Sequence, residues 1–532
     1  MKKSMFSLLS IVLLAGTVVA CSNNNNPGPV NTPSSTPSNG ESQTPDKPKG
    51  PTEFSISFET TGDGTGYTSR VDLKNEKWIE ALEDLTNTEI HAEMVHTTQM
   101  GLMFAGGKIP DVVGVLGTPS SGSMAGSVEA GVFHPLTNWI KEHTPTLYET
   151  IPQAAWDAVS VDGEIYGVPS YLSNPSRRAT YIRMDLLEKT GKEVPKTVEE
   201  FIDVMRAFKD IGVKHPYAMR ENFKYADVIF GAYDVLPYRD QFMVMDDEVV
   251  PKFFQADAMM EALTIHKQLL DEGLIPKDFA SITVGDFFSN IEGGNAGMWS
   301  QNAVGLPSLA TTISAAVPDA KIEMIPSPTG PDGEGGYLFY SPVLSSYYIN
   351  KDVEEARAIE ILKFMEWQLS EEAQIFFEFG IEGDTYTIGA DGKINYKAPE
   401  TDQEKEEEGW RSGQINMIKD ATLSRLRTEL DEKYGAIVIN GFDNILANEG
   451  RGGIGFYPEL SSSAKFPELG FPSQDVGPSF IIDNMVRMIY GQRPIAEWPK
   501  VLEEYRERGG NEIIAEATER FNNKDGVIEL YR

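Results

Sequence analysis

Between residues 54 and 115 the hydrophobic pattern switches period repeatedly, and that switching limits the chain to few architectures. "FSISFE" (Phe54–Glu59) alternates apolar and polar residues, as a half-buried strand does. Trp78, Ile79, Leu82 and Leu85 then recur at helical spacing, and "EIHAEMV" and "PDVVGV" (Pro110–Val115) read as further strands. Strand, helix, strand, helix, strand is the pattern of a parallel sheet covered by helices, so the fold class is α/β. "VSVDGEIYGVP" follows as a hairpin that turns at Asp162-Gly163.

A second block begins near Tyr171. It holds a strand, a short helix and a longer helix, the last opened by a capping box of Thr197 and Glu200 just after Pro195. Val198, Phe201, Ile202, Met205 and Phe208 line one face of that helix. "AGMWS" (Ala296–Ser300) reads as a short buried strand and "GYLFYSPVLSSYYI" (Gly336–Ile349) as one long strand. Amphipathic helices are expected over 354–370 and 371–380 and again over 495–521.

The N-terminus has a different character. Lys2 and Lys3 precede an apolar run from Phe6 to Ala15, and small residues continue to Ala20. This is a signal-peptide layout over 1–20, too short to span a bilayer. Val18-Val19-Ala20-Cys21 fits the bacterial lipobox, and Cys21 is the single cysteine among 532 residues. Cys21 is therefore the expected lipidation site, the alternative being an ordinary secretory signal with an incidental cysteine. From 21 to 52 the composition is Asn, Pro, Ser, Thr and Gly, which cannot bury enough surface to order itself, so a disordered tether is expected.

The formal net charge of −34 argues against nucleic acid and against adhesion to anionic lipid; any membrane contact would come through the anchor alone. The 6 histidines form no H-E-x-x-H pair, and no G-x-S-x-G elbow, Walker A loop or G-x-G-x-x-G fingerprint is present. With 80 acidic residues, carboxylate pairs are guaranteed by number, and none is marked as catalytic.

Several segments together carry a resemblance. "GGKIPDVV", "VDGEIYGVP", "YIRMDLLEKTGKEVPKTVEEFIDVMRAFK", "AGMWS", "FGIEGDTYT" and W-x6-Y in "EWPKVLEEYRERGG" resemble extracellular solute-binding proteins of family 1. Within that family they are most similar to the large Paenibacillus-type lipoprotein branch that serves ABC importers of sugars and oligosaccharides. The resemblance implies a two-lobe, type II periplasmic-binding-protein-like fold, with discontinuous lobes joined by crossing strands and a ligand cleft between them. On that basis 53–168 is the first part of lobe 1, 169–338 the first part of lobe 2, 339–395 a return to lobe 1, and 396–532 a helical segment mainly of lobe 2. Crossings are expected near Gly167–Tyr171 and Gly336–Ser345. The same resemblance implies a monomeric, non-enzymatic receptor on the outer face of the cell membrane, with permease subunits as partners and no cofactor. Relatives carry a calcium loop after the helix that ends here in "AFK"; this chain has "DIGVKHPYAMRENF" instead, so no metal is expected there.

A sugar offers an apolar C–H face and a rim of hydroxyls, so its site needs aromatic faces and planar polar groups. Trp299, at the end of "AGMWS", resembles a stacking tryptophan; the competing reading is a core tryptophan plugging the strand end. Gln301 and Asn302 follow it. Tyr171, Ser173, Asn174 and Arg177 lie just past the first crossing, and Arg220, Asn222, Phe223 and Tyr225 resemble a loop that supplies polar and aromatic contacts. Asp63 ends the first strand, where parallel sheets place ligands. Glu382, Asp384 and Tyr386 belong to a family hallmark that either touches ligand or braces the lobe, and Trp410 and Tyr457 are further platforms. Asp111 reads as structural. Two other functions remain open: a surface lipoprotein enzyme acting on polysaccharides, and the same receptor fold with a non-sugar solute.

Overall fold

The computed structural model describes residues 50–61, 66–124, 126–456 and 459–530. Cys21, Asp63 and Tyr457 lie outside the described residues.

The strand Thr52–Thr60 buries Phe54, Ile56 and Phe58 and pairs in parallel with Thr88–His96 on one side and Val112–Leu116 on the other. The intervening helix Lys77–Thr86 starts where the buried Glu76 carboxylate accepts the N–H groups of Trp78 and Ile79. Asp111 opens the third strand by accepting from the Ser55 N–H at 2.8 Å and from Arg357 at 2.7 Å. The hairpin turns at Asp162 and Gly163, both at positive φ (52° and 82°), as a two-residue turn requires. Gly167–Tyr171 joins the sheet only through Val343–Ile349, which runs antiparallel between it and Val112–Leu116. The strand that completes the first sheet thus arrives some 170 residues after its neighbour, and the chain between them builds the second lobe.

The second lobe has a four-stranded sheet in the order Ile322–Ile325, Arg178–Arg183, Ala296–Asn302, His215–Tyr217. Helix Val198–Asp210 covers one face; its capping box is formed, and Val198, Phe201, Ile202, Met205 and Phe208 are all buried. A further sheet, ordered Glu248–Pro251, Phe242–Met245, Gly453–Phe456, Val527–Leu530, extends the same core. Helices Trp498–Tyr505 and Asn511–Asn523 pack there and are separated by Gly509 at φ 126°.

Two features depart from the sequence reading. The expected long strand from Gly336 starts only at Val343. Gly336 has φ 103°, Pro342 has no N–H to give, and the N–H groups of Phe339 and Tyr340 reach different segments, Arg451 and Pro175. Those seven residues are a crossing, not a ladder. The strands Gly453–Phe456 and Val527–Leu530 fall in a region read as helical, because four residues are too few for periodicity to register.

The chain passes between lobes three times, through 172–177, 326–342 and 419–424. For the third, the sequence reading expected the change of lobe after residue 395. It leaves the first core at Met417 and Ile418 and enters the second at Leu423 and Tyr434. The three passages bond side by side. Leu172 N–H donates to Pro342 O (2.9 Å), Tyr340 N–H to Pro175 O (2.9 Å), and Tyr171 N–H to Lys419 O (3.0 Å).

Helix Val228–Ala232 approaches the second passage so closely that a Cβ on Gly231 would lie 1.8 Å from Gly336 O. Gly231→Ala is therefore expected to lower unfolding stability by about 1–3 kcal/mol, measured by denaturant titration; an unchanged midpoint would contradict this packing.

Candidate functional site

The hinge ribbon has a cavity on each side. One, of about 820 Å³, is lined by Leu116, Gly117 and Ser121 of the first lobe, Tyr340 and Ser341 of the second passage, and Gln474 of the second lobe. It lies at the carboxyl end of the parallel strand Val112–Leu116, where α/β sheets bind ligands. The other, of about 790 Å³, is lined by Leu172, Asn174, Asp420, Thr422, Phe442 and Leu530 and shares Tyr340 with the first.

Arg178, the first residue of the second-lobe strand, is fully buried beside the front cavity. It pairs with the fully buried Asp227, donates to Asp475 at 3.0 Å and to the Tyr340 hydroxyl at 3.2 Å, and lies 4.9 Å from the Tyr225 ring centroid. Tyr238 donates to Asp227 at 2.9 Å, and Lys224 donates to Asp475 at 2.9 Å. Burial works to raise the Asp475 carboxyl, but Arg178 and Lys224 outweigh it and hold the group below its ordinary range. The result is an ordered polar cluster: three tyrosines, two cations and two carboxylates held by one another.

Arg220 and Arg177 join this cluster. Arg220 follows the strand His215–Tyr217, is 8% exposed, and stands 6.0 Å from the Tyr225 ring centroid. Arg177 is half-buried over the Tyr340 ring at 5.7 Å. Asn302 faces Arg178 across the strand pair, half-buried, and its Oδ1 has no hydrogen-bond partner among the described residues; the same holds for Gln301 Oε1. Asn222 is exposed on the loop after Arg220, at φ 58°.

Other sequence-selected residues are placed elsewhere. Trp299 is fully buried, stacked on Tyr181 at 5.8 Å under the second-lobe helices. Strand alternation turns it to that face while Met298 turns to the opposite core. Phe223 is fully buried against Phe230 and Phe279. Tyr171 lies in the first-lobe core, its phenol pushed up to about 12 by burial and by Asp420. Ser173 and Asn174 face the rear cavity, where their N–H groups are taken by Asp420 and Thr422. Trp410 is a core residue, edge-on to Phe58 and donating to Glu76 at 2.9 Å. Glu382 and Tyr386 line a groove on the outer side of the first lobe with Leu85 and Phe376, far in the chain's layout from either hinge cavity.

Sequence reasoning missed Arg178, Asp227, Tyr340, Gln474 and Asp475. An arginine opening the otherwise apolar "RATYI" was the available signal, since a charge there must be paired on burial.

Residues 76–375, more than half of the chain, match the family profile described as bacterial extracellular solute-binding protein. The chain belongs to that family. Among curated relatives of this solute-binding protein, lipoprotein LipO of Bacillus subtilis (strain 168) is 29% identical over 342 residues, 58% of this chain and 64% of LipO; the match thus spans just under two thirds of that relative. The polygalacturonan/rhamnogalacturonan-binding protein YtcQ of the same organism is 25% identical over 470 residues, 83% of this chain and 87% of YtcQ. A solved structure, the HMO-binding, ABC-transporter-associated solute-binding protein from Bifidobacterium longum infantis ATCC 15697, superposes with TM-score 0.60 at 15% identity, covering 90% of this chain and 100% of that one. That likeness shows the two-lobe type II fold.

Replacing Asp475 by Asn takes a partner from a buried cation and is expected to cost about 3 kcal/mol at neutral pH. Because its folded value is depressed, the carboxylate's contribution is complete above its unfolded value of about 3.9 and is lost as pH falls through the lower folded value. Denaturant unfolding across pH should therefore show the gap between Asp475→Asn and the parent closing below about pH 4; a gap of constant size would contradict the assignment. Trp299→Ala should cost about 3–5 kcal/mol, as a buried indole does; a variant as stable as the parent would argue against the core placement.

Proposed function

We propose that this solute-binding protein is a lipid-anchored extracellular receptor that captures an oligosaccharide for an ABC importer by closing its two lobes. One observation carries the reading. One gap is lined by the carboxyl end of the strand Val112–Leu116 from the first lobe and by Tyr340 and Gln474, an aromatic face and a planar amide of the kind a sugar requires. The relation to YtcQ, which binds polygalacturonan and rhamnogalacturonan, supports a saccharide over other solutes. Three bonded passages supply a hinge, and ligand contacts from both lobes would favour the closed state. Cys21 as the acylated residue gives the anchor, since the two chains of a diacylglyceryl group hold a protein at a membrane where one does so only marginally. A tether of roughly thirty residues reaches about 30 Å as a coil. The reading assigns no turnover: sugar released from a glycan panel over hours would favour a surface enzyme.

A ligand that binds only the folded state raises the melting temperature, by about 2.7 kcal/mol of stabilisation at a hundredfold excess over its Kd. Thermal-shift screening of oligosaccharides should therefore find members that raise the midpoint, and a flat response across neutral and acidic saccharides would contradict the reading. Cys21→Ala should appear in the culture medium with its saccharide affinity unchanged; retention at the membrane would contradict the anchor.

A further inference from the structure

Most large apolar side chains of the body are buried, yet Leu116 and Leu344 are 42% and 40% exposed. Scattered singly, such residues need no explanation. These two are neighbours. They come from the adjacent antiparallel strands Val112–Leu116 and Val343–Ile349, in which Leu116 stands opposite Ser345, and both line the 820 Å³ cavity. Gly117 N–H donates to Leu344 O at 2.9 Å and ties the two segments at that point. Leu344 is also where its strand breaks register against Gly167–Tyr171: Val343 pairs with Tyr171 and Ser345 with Ser170, which leaves Leu344 as the extra residue. A bulge of this kind re-aims one side chain and recurs beside binding sites.

The rest of the first-lobe wall offers a ligand little to hydrogen-bond. Among the described residues the first lobe adds only Gly117, Ser121, Gly122 and Val343 to this cavity. Its one hydroxyl, Ser121 Oγ, already donates to Leu116 O at 3.2 Å and accepts from Thr118 N–H at 2.9 Å. Charged and amide groups belong to the second lobe: Arg239 is paired with Glu459, and Gln474 Nε2 donates to Asp240 at 3.1 Å. A ligand that closes the lobes touches both, and on the first lobe it meets two aliphatic tips.

We propose that Leu116 and Leu344 determine specificity by receiving a methyl-terminated substituent of the saccharide, of the O-acetyl kind. The flat C–H face of a pyranose is met by an aromatic ring, and Tyr340 supplies one at the same cavity. Two branched leucine tips make an uneven apolar surface instead, suited to a compact methyl group. An unsubstituted sugar would turn hydroxyls toward them and lose hydration with no replacement bond, which costs free energy. Acetylation removes that hydroxyl donor and puts an apolar group in its place. This inference rests on the receptor reading above and names the kind of saccharide the gap prefers.

The test is calorimetric titration of the whole chain with xylotetraose, mannotetraose and trigalacturonate, each in O-acetylated and saponified form, so that backbone and backbone charge are held fixed. At least one acetylated member is expected to bind about 10-fold or more tightly than its saponified partner, the margin of a small apolar group in an apolar pocket. Combining Leu116→Ala with Leu344→Ala should bring that ratio close to unity, while Leu344→Met, which keeps the apolar volume, should retain most of it. The two single alanine replacements, at exposed positions, carry the same comparison if the double variant does not fold by circular dichroism. Leucines that merely met the second lobe on closure would weaken both forms by the same factor and leave the ratio intact. That result, equal binding of acetylated and saponified forms, or tighter binding of every saponified form overturns the inference and leaves the receptor reading in place. Binding of no saccharide, acetylated or saponified, overturns both.

Discussion

The buried charge of Arg178 organises this molecule more than any other single group. It stands where the chain, having just left the first lobe, begins the second-lobe sheet. From there it reaches Asp227, Tyr340 of the second passage and Asp475 of the C-terminal region. Segments separated by about three hundred residues are thus fixed against one cation, and none of them can shift without leaving it unpaired in a medium that penalises bare charge. Similar bonds continue along the ribbon: Thr180 joins Ser327 and Tyr337, and Ser327 is held by Glu449. The second-lobe end of the hinge is therefore rigid, and the wall that faces the gap inherits that rigidity.

Function follows from where this rigidity stops. Between the lobes the passages are tied by backbone bonds, such as those linking Leu172 to Pro342 and Tyr171 to Lys419, and by side-chain bonds from Asp420 and Thr422 to Ser173 and Asn174. Two packed cores joined by a narrow bonded ribbon can rotate with small changes in a few torsions, which is how hinge closure works in two-lobed binders. We propose that the gap lined by Leu116, Tyr340 and Gln474 takes the ligand, so that a molecule held there touches both lobes and shifts the equilibrium by its differential contacts. Arg220 Nε, Gln301 Oε1 and Asn302 Oδ1 are buried polar atoms without a hydrogen-bond partner among the described residues.

Much of the fold was legible in the residues, because local chemistry and global architecture agree. Period-two and helical patterns placed the first sheet, Asp162-Gly163 its hairpin, and the Thr197–Glu200 box the start of the second-lobe helix. The place of the third passage was not legible, since 419–424 has neither periodicity nor turn chemistry and is defined only by which cores flank it. The site was less legible than the fold. Trp299 has the residue type of a sugar platform, and only the pleat decides that it turns into the core. Asp475 and Tyr340 join the cluster across long separations that no local motif encodes, while Arg220 and Asn302 could be named because they stand at or just past the ends of second-lobe strands.

The central claim is that two lobes close on a saccharide at the front of the ribbon. Small-angle X-ray scattering of the chain, alone and saturated with the saccharide that most raises its melting temperature, tests it directly. The account predicts a smaller radius of gyration in the complex than in the chain alone. A radius unchanged at proven saturation would contradict closure as the mode of capture.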